Sequence, residues 1–411
     1  MRTPIESSEG VRMTRRSGRS GKLRKETQIT TAGRDPEANF GAVNPPVYHA
    51  STIVYPSVKA HDEARKNKFD GVQYGRLGTP TTFAFEEAVA ALEGGTRTVS
   101  LCSGLNALTT CVLSVVKAGD HILVSDSCYG PMRAFCVGAL ARMGVETTFY
   151  DPLLGERVAE QFRPNTRLVY TESPGSLTFE VQDVPAIARA AHARGVLVML
   201  DNSWSGGLYF QPFQHGVDLS VQAATKYISG HSDAMLGAIT VADEALWRKV
   251  KTTASELGLC AGPDDCFLGL RGLRTIAVRL KQHQESGLKI ARWLQTRPEV
   301  VRVIHPGLPQ DPGHRLWQRD FTGASGLFAV VLKPHPKPAV DALIDALDLF
   351  GLGYSWGGFD SLITAPNPGA LRSATKVDTP GPYLRFHVGL EDPDDLIADL
   401  ERGFAALAQA Q

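Results

Sequence analysis

From about residue 95 to residue 224 the chain sets short, wholly apolar runs against longer amphipathic ones, and this alternation limits the possible folds more than any other feature. His121–Ser125 (HILVS), Leu168–Thr171 and Val196–Leu200 (VLVML) are apolar on both faces and too short to be buried helices. Thr98–Cys102, Glu146–Tyr150 and Leu219–Ala224 extend the series. Between them lie helical stretches over Leu105–Lys117, Pro131–Met143 and Val184–Arg194, the last with Ile187, Ala190 and Ala191 at helical spacing. Strands hidden on both faces and separated by helices predict an α/β unit around a mostly parallel sheet. After about residue 270 the pattern loosens into a long helical region, strands at Val301–Ile304, Leu327–Leu332 and Tyr383–Val388, a helix over Ala339–Leu347 and a terminal helix from Pro393. That order predicts a smaller α+β domain.

The expected organisation is a basic disordered tail (1–25), an N-terminal arm without clear periodicity (26–73), an α/β domain (74–268) and a C-terminal α+β domain (269–411). With 411 residues there is ample material for two cores. No apolar run approaches the ~18–20 residues of a membrane span. Basic and acidic residues balance at 43 each, which argues against a nucleic-acid or anionic-membrane binder working through its overall field. The balance is uneven along the chain. Eight basic residues fall in positions 1–25 against Glu6 and Glu9, and the body carries six more acids than bases. The tail lacks the apolar stretch of a secretory signal. The six cysteines (Cys102, Cys111, Cys128, Cys136, Cys260, Cys266) form no CxxC pair and read as small buried hydrophobes of a reducing, cytoplasmic compartment. No metal site is expected.

Several residues stand where chemistry is possible. Asp201 closes VLVML, at the carboxyl end of a central strand, where ligands of open α/β sheets bind; a turn-capping role is the plainer use of such an Asp. Lys226, in SVQAATKYISGHSD, interrupts a small, apolar context in which an ammonium is poorly solvated. Desolvation lowers its pKa and suits it to condensing with a carbonyl and to moving protons. Gly104, in LCSGLNAL, lies between strand and helix, where outward-facing amides can bind phosphate; an ordinary strand-to-helix turn has the same pattern. Arg76 is placed to clamp a phosphate or to be a surface residue. Arg385, flanked by apolar residues on a strand, calls for an anion, either a substrate carboxylate or an internal acid. His231 reads as a structural residue of a tight loop. HExxH, GxSxG and P-loop signatures are absent.

A phosphate-facing glycine, a strand-end Asp and a Lys 25 positions later together suggest a pyridoxal phosphate (PLP) site. The chain resembles the Cys/Met-metabolism family of PLP enzymes from about Thr27 to Ala405, and within it the β-lyases. The resemblance is carried by YGRLGTPTTFAFEEAVAALEGG, SGLNAL, ESPGSLTFEV, DNSWSGG, SVQAATKYISGHSDAMLG, GLRTIAVRL, RDFTGASGLF, YSWGGFDSL and LRFHVGLED. It implies the fold of the aspartate-aminotransferase type of PLP-dependent transferases. By the same resemblance, Lys226 matches the lysine that bonds to the cofactor and later moves the Cα proton, and Asp201 the carboxylate on the pyridine nitrogen. Tyr129 matches the aromatic stacked on the ring, and Gly104, Leu105 and Thr225 match phosphate-binding positions. Tyr74 and Arg76 match a pair that reaches the phosphate in a neighbouring subunit, which implies a homo-oligomer, a dimer at least and in expectation a tetramer. Ser355 and Arg385 match the holders of the substrate carboxylate.

The implied activity is β-elimination of a thioether amino acid, cystathionine to homocysteine, pyruvate and ammonia in methionine biosynthesis, with other cysteine S-conjugates as further substrates. Trp356 in YSWGGFDSL favours the β-lyases, because γ-acting relatives usually carry a smaller residue there. A γ-lyase or γ-synthase and a PLP-binding regulatory protein are the alternatives. Arg133 and Ala134 stand where similar β-lyases often carry an acid, and the region near Ser255 also departs from them. Both regions are expected at the leaving-group end of the substrate.

Overall fold

The computed structural model describes residues 23–66 and 68–410, so nearly all of the basic tail lies outside the described residues. Strands β1 (Arg97–Leu101), β2 (His121–Ser125), β3 (Glu146–Tyr150), β4 (Thr166–Glu172), β5 (Leu197–Asp201), β6 (Leu219–Gln222) and β7 (Gly237–Val241) form one sheet in the order β1-β7-β6-β5-β4-β2-β3. From β3 to β6 all neighbours are parallel, and β7 runs antiparallel to both β6 and β1. The apolar runs HILVS and VLVML occupy central strands in which nearly every residue is buried. β7 was not anticipated from the sequence.

Helices α1 (Lys25–Thr31), α2 (Val58–Lys66), α3 (Pro80–Glu93), α4 (Gly104–Leu113), α5 (Gly130–Phe135), α6 (Val184–His192) and α7 (Glu244–Glu256) accompany this sheet. Side chains stop the free amides at several helix starts. Ser103 accepts from Asn106 N at the head of α4, Asp183 from Ala186 N at α6 and Asp243 from Leu246 N at α7, each contact contributing about 1 kcal/mol. The helix expected over Pro131–Met143 is present, with a π-helical turn at Cys136–Leu140.

The stretch read as an extended arm contains α1 and α2. α1 is fixed by a tertiary contact that its short sequence does not announce. Ile29 is fully buried in a cluster with Phe85, Val89 and Leu273, worth about 1.5–3 kcal/mol, and Arg274 Nη1 donates to the Ile29 carbonyl at 2.8 Å. α2 buries no residue.

α8 (Pro263–Leu273) and α9 (Ile276–Leu294) lead to a second sheet of β8 (Val300–Ile304), β9 (Leu327–Leu332), β10 (Gly351–Leu352), β11 (Leu362–Thr364) and β12 (Tyr383–His387), ordered β10-β11-β12-β9-β8. α10 (His314–Asp320), α11 (Lys337–Asp345) and α12 (Pro393–Gln409) complete this part. α9 belongs to both cores. Its Ile276 and Leu280 pack in the cluster of Phe85 and Tyr227, whereas Ile290, Ala291 and Leu294 pack with Phe328, Leu343 and Phe404. Among the described residues no helix is long and apolar enough to cross a membrane, and no group of His, Cys, Asp or Glu is arranged to hold a metal ion.

Candidate active site

Parallel strands deliver their carboxyl ends to one edge of the sheet, and there β4 ends on Glu172, β5 on Asp201, and β6 runs into Ala223–Lys226. Asp201 is buried. Burial raises its pKa, opposed first by hydrogen bonds from Ser203 and then by the Lys226 charge. Ser203 connects the two strands, its N–H donating to Asp201 Oδ1 (3.0 Å) while its Oγ accepts from Ala223 N (2.8 Å). The turn after Asp201 is set by Glu93, whose Oε1 accepts from Asn202 Nδ2, Ser220 Oγ and Gln222 Nε2.

Lys226 follows in a tight turn, its N–H donating to Ala223 O at 2.9 Å. Burial pushes its amine down from the usual lysine range to about 8, the Arg385 charge adds to the fall, and Asp201 opposes it. Its Nζ stands 5.1 Å from the centre of the Trp356 ring, which packs against Tyr227 with ring centres 5.4 Å apart.

The segment Tyr354–Gly358 comes from the second sheet's side of the molecule. Arg385 on β12 donates from Nη2 to Ser355 O at 3.1 Å, while Arg385 Nε and Ser355 Oγ are buried without a hydrogen-bond partner. Burial lowers the Arg385 pKa. Two unsatisfied donors side by side, one of them cationic, form a site for a small anion. Behind them His387 Nε2 meets Gly357 N at 3.1 Å and Gly358 O at 3.0 Å, and burial holds this imidazole down at about 3, in its neutral form.

Tyr129 stands half-exposed at the head of α5. Burial, then Asp201 and Glu172, push its phenol up, and Arg385 opposes them. Asp201 and Arg385 therefore each act on the charges of both Lys226 and Tyr129.

At the head of α4, Gly104 admits close backbone approach, because a Cβ there would lie 2.6 Å from Ala223 Cβ. Leu105 is the next residue of this helix and half-buried. The Thr225 hydroxyl is engaged with the backbone of Leu236, donating to its carbonyl at 3.1 Å and accepting from its N–H at 2.9 Å. Tyr74 and Arg76 stand apart from this group. Tyr74 bridges to Thr52 and is exposed. Arg76 Nη1 donates to Ser255 O at 2.7 Å, in a small cavity it shares with Lys251, Ser255 and Cys260.

Two features were missed from the sequence. Glu172 Oε2 accepts from Tyr129 N at 2.7 Å and from Tyr170 Oη at 2.8 Å. Asp126, its side chain fully buried, accepts from Arg133, from the N–H groups of Ser373, Ala374 and Thr375 and from two hydroxyls. Arg372 adds an ion pair with Glu180 at 2.7 Å. Together they strap residues 372–375 onto the large sheet beside α5, where Leu371 lies against Gly130. Arg133 is thus bound to Asp126 and lies over Phe149.

The chain matches the model of the Cys/Met metabolism PLP-dependent enzymes over residues 26–405. It is 50% identical over 384 residues (92% of this chain, 96% of the relative) to a Rhizobium johnstonii protein to which cystathionine beta-lyase activity is ascribed. It is 43% identical over 389 residues (93% and 98%) to cystathionine beta-lyase MetC of Escherichia coli. The crystal structure of metB from Corynebacterium glutamicum superposes with a TM-score of 0.87 at 29% identity, covering 94% of this chain and 98% of the other.

Proposed function

This chain belongs to the Cys/Met metabolism PLP-dependent enzymes, and we propose that it is a carbon–sulfur β-lyase acting on L-cystathionine and on other cysteine S-conjugates. The observation that carries the reading is the pairing of a desolvated Lys226, its amine near 8 and faced by Asp201, with the unsatisfied Ser355 Oγ and Arg385 Nε. Such a site grips an amino-acid carboxylate and keeps an amine ready as a base.

PLP fits the residues present. The first amides of α4, which opens on Gly104, suit its phosphate, buried Asp201 suits its ring nitrogen, and Lys226 its aldehyde. When bound, the cofactor supplies the electron sink that makes the Cα proton acidic and lets a thiolate leave from Cβ.

The protein's own groups do the rest. Arg385 and Ser355 fix the substrate carboxylate, which orients the Cα–H bond. The Lys226 amine would take that proton from Cα, hold it on Nζ and return it to the departing sulfur. Asp201 would hold the protonated ring nitrogen of the cofactor, and Tyr129 would lie over its ring. Trp356 excludes water from Lys226. With one water consumed to release the keto acid and ammonia, cystathionine would give homocysteine, pyruvate and ammonia, a step of methionine biosynthesis.

Tyr74 and Arg76 are assigned to the cofactor phosphate of a second subunit, so the working form is a homo-oligomer, a dimer at least and a tetramer in our reading. Exposed Phe40, Val54 and Val58 in the arm support it. The cytoplasm is the compartment we assign, and six free cysteines support that. Keto-acid identification with L-cystathionine, L-cystine and S-alkylcysteines tests the function. Pyruvate is the expected product, and 2-oxobutyrate, or no keto acid from any of them, would overturn it.

A further inference from the structure

Glu172 is a carboxyl group with no part in the chemistry above, yet it sits at the centre of the site. It ends β4, and in the β4–β5 register its partner is Asp201. Its Oε2 accepts at once from the main-chain N–H of Tyr129 (2.7 Å) and the hydroxyl of Tyr170 (2.8 Å). The Tyr129 amide lies at the start of α5, where no helical carbonyl is available to it. Glu172 supplies that acceptor and thereby fixes where the Tyr129 ring emerges.

The ionisable groups facing Glu172 are Asp201 on β5, Tyr170 on its own strand, Tyr129 and Cys128 before α5, and Arg372 on the strap. Burial and the neighbouring Asp201 raise its pKa well above the carboxylate range, and the hydrogen bonds from Tyr129 and Tyr170 and the charge of Arg372 only partly offset them. Two carboxyl groups paired across neighbouring strands, Asp201 buried and Glu172 half-buried, do not both ionise readily. Asp201 has the Lys226 charge and the two bonds from Ser203 to favour its ionised form.

We propose that Glu172 is a positioning residue of this active site, a neutral acid that anchors Tyr129 through its main chain and leaves Asp201 as the single anion facing the ring nitrogen of the cofactor. The proposal rests on the PLP site assigned above. It does not depend on which thioether is cleaved, because its primary readout is the bound cofactor.

The test uses holoenzyme, wild type and two variants, and follows the visible absorption of bound PLP against pH together with kcat and KM. Glu172→Gln keeps the acceptor oxygen and mimics a neutral acid. It should leave the pH midpoint of the cofactor band in place and kcat/KM within about threefold. Glu172→Ala leaves the Tyr129 N–H unpaired. It should lower kcat by about 10- to 100-fold and weaken PLP retention, with KM changed less than kcat. A midpoint lowered by about one unit or more in Glu172→Gln would mean that an anion had been removed, and would overturn the proposal. So would a Glu172→Ala enzyme with wild-type kcat and cofactor retention. Wild-type enzyme that binds PLP but releases no keto acid would instead count against the proposed lyase function and leave the band titration readable.

Discussion

Gly357 lies against Lys226 so closely that a Cβ on the glycine would stand 2.9 Å from the lysine Cα. The glycine also has φ +88°, a conformation L-residues rarely adopt. The loop carrying Ser355 and Trp356 is therefore seated on the backbone that presents the Lys226 amine.

Gly357→Ala should separate these two backbones. The φ value alone costs about 1–2 kcal/mol in a non-glycine residue, and the clash adds to it. We expect kcat to fall at least about tenfold with the secondary structure retained; circular dichroism and steady-state kinetics check both. Wild-type kcat would show that the loop shifts without consequence for Lys226.

Reconstitution of the apoprotein with PLP needs the unprotonated Lys226 amine. Burial and Arg385 depress its pKa to about 8, so the reactive fraction grows with pH up to that value. The rate should rise about tenfold per pH unit below it and level above it. Arg385→Ala removes a nearby cation and should move the bend upward. A wild-type rate still climbing steeply at high pH would indicate a solvated lysine.

The unsatisfied donors of Arg385 and Ser355 predict a division between KM and cofactor binding. Arg385→Ala should raise KM for amino-acid substrates by about 10- to 100-fold, as loss of a charge-assisted pair requires. PLP affinity, measured by dialysis and absorbance, should change little. Ser355→Ala should have a smaller effect in the same direction.

Asp126 predicts a pH-dependent contribution to stability. Burial alone would raise its pKa, but hydrogen bonds from Thr375, Ser373 and Arg133 outweigh it and hold the carboxyl below the ordinary range. A depressed pKa stabilises the fold above the unfolded value, and the effect is lost as pH falls through the folded one. Asp126→Ala should cost about 3–5 kcal/mol near neutrality, because it strands Arg133. Urea unfolding of wild type and variant should converge as the solution is made acidic.

Much of this was readable in the chain before any coordinates. A strand buried on both faces has no choice but to be apolar, so HILVS and VLVML disclose β2 and β5, and with them the edge on which Asp201 lies. Gly104, Lys226 and Arg385 stand out because a glycine at a strand-to-helix turn and cations in apolar runs are locally anomalous. Asp126 and Glu172 carry no such mark. Asp126 meets Thr375 across 249 positions, and Glu172 meets Tyr129 across 43, so each looks like an ordinary acid until folding supplies its partner. α1 was missed for the same reason, because it is held by long-range contacts, at Ile29 with Phe85 and Arg274 and at Lys25 with Ala91. Arg133 was expected toward the substrate's leaving group, and its local sequence gives no hint of the buried Asp126 that holds it.

α9 contributes side chains to the cores behind both sheets. At ~1.5 Å per residue its 19 residues span about 28 Å, a spar between the core that holds Tyr227 and the core that holds Phe386. Leu280 packs in the cluster that holds Tyr227, next to Lys226, and Ile290 in the one that holds Phe386, next to Arg385, so a single helix ties the two surroundings together.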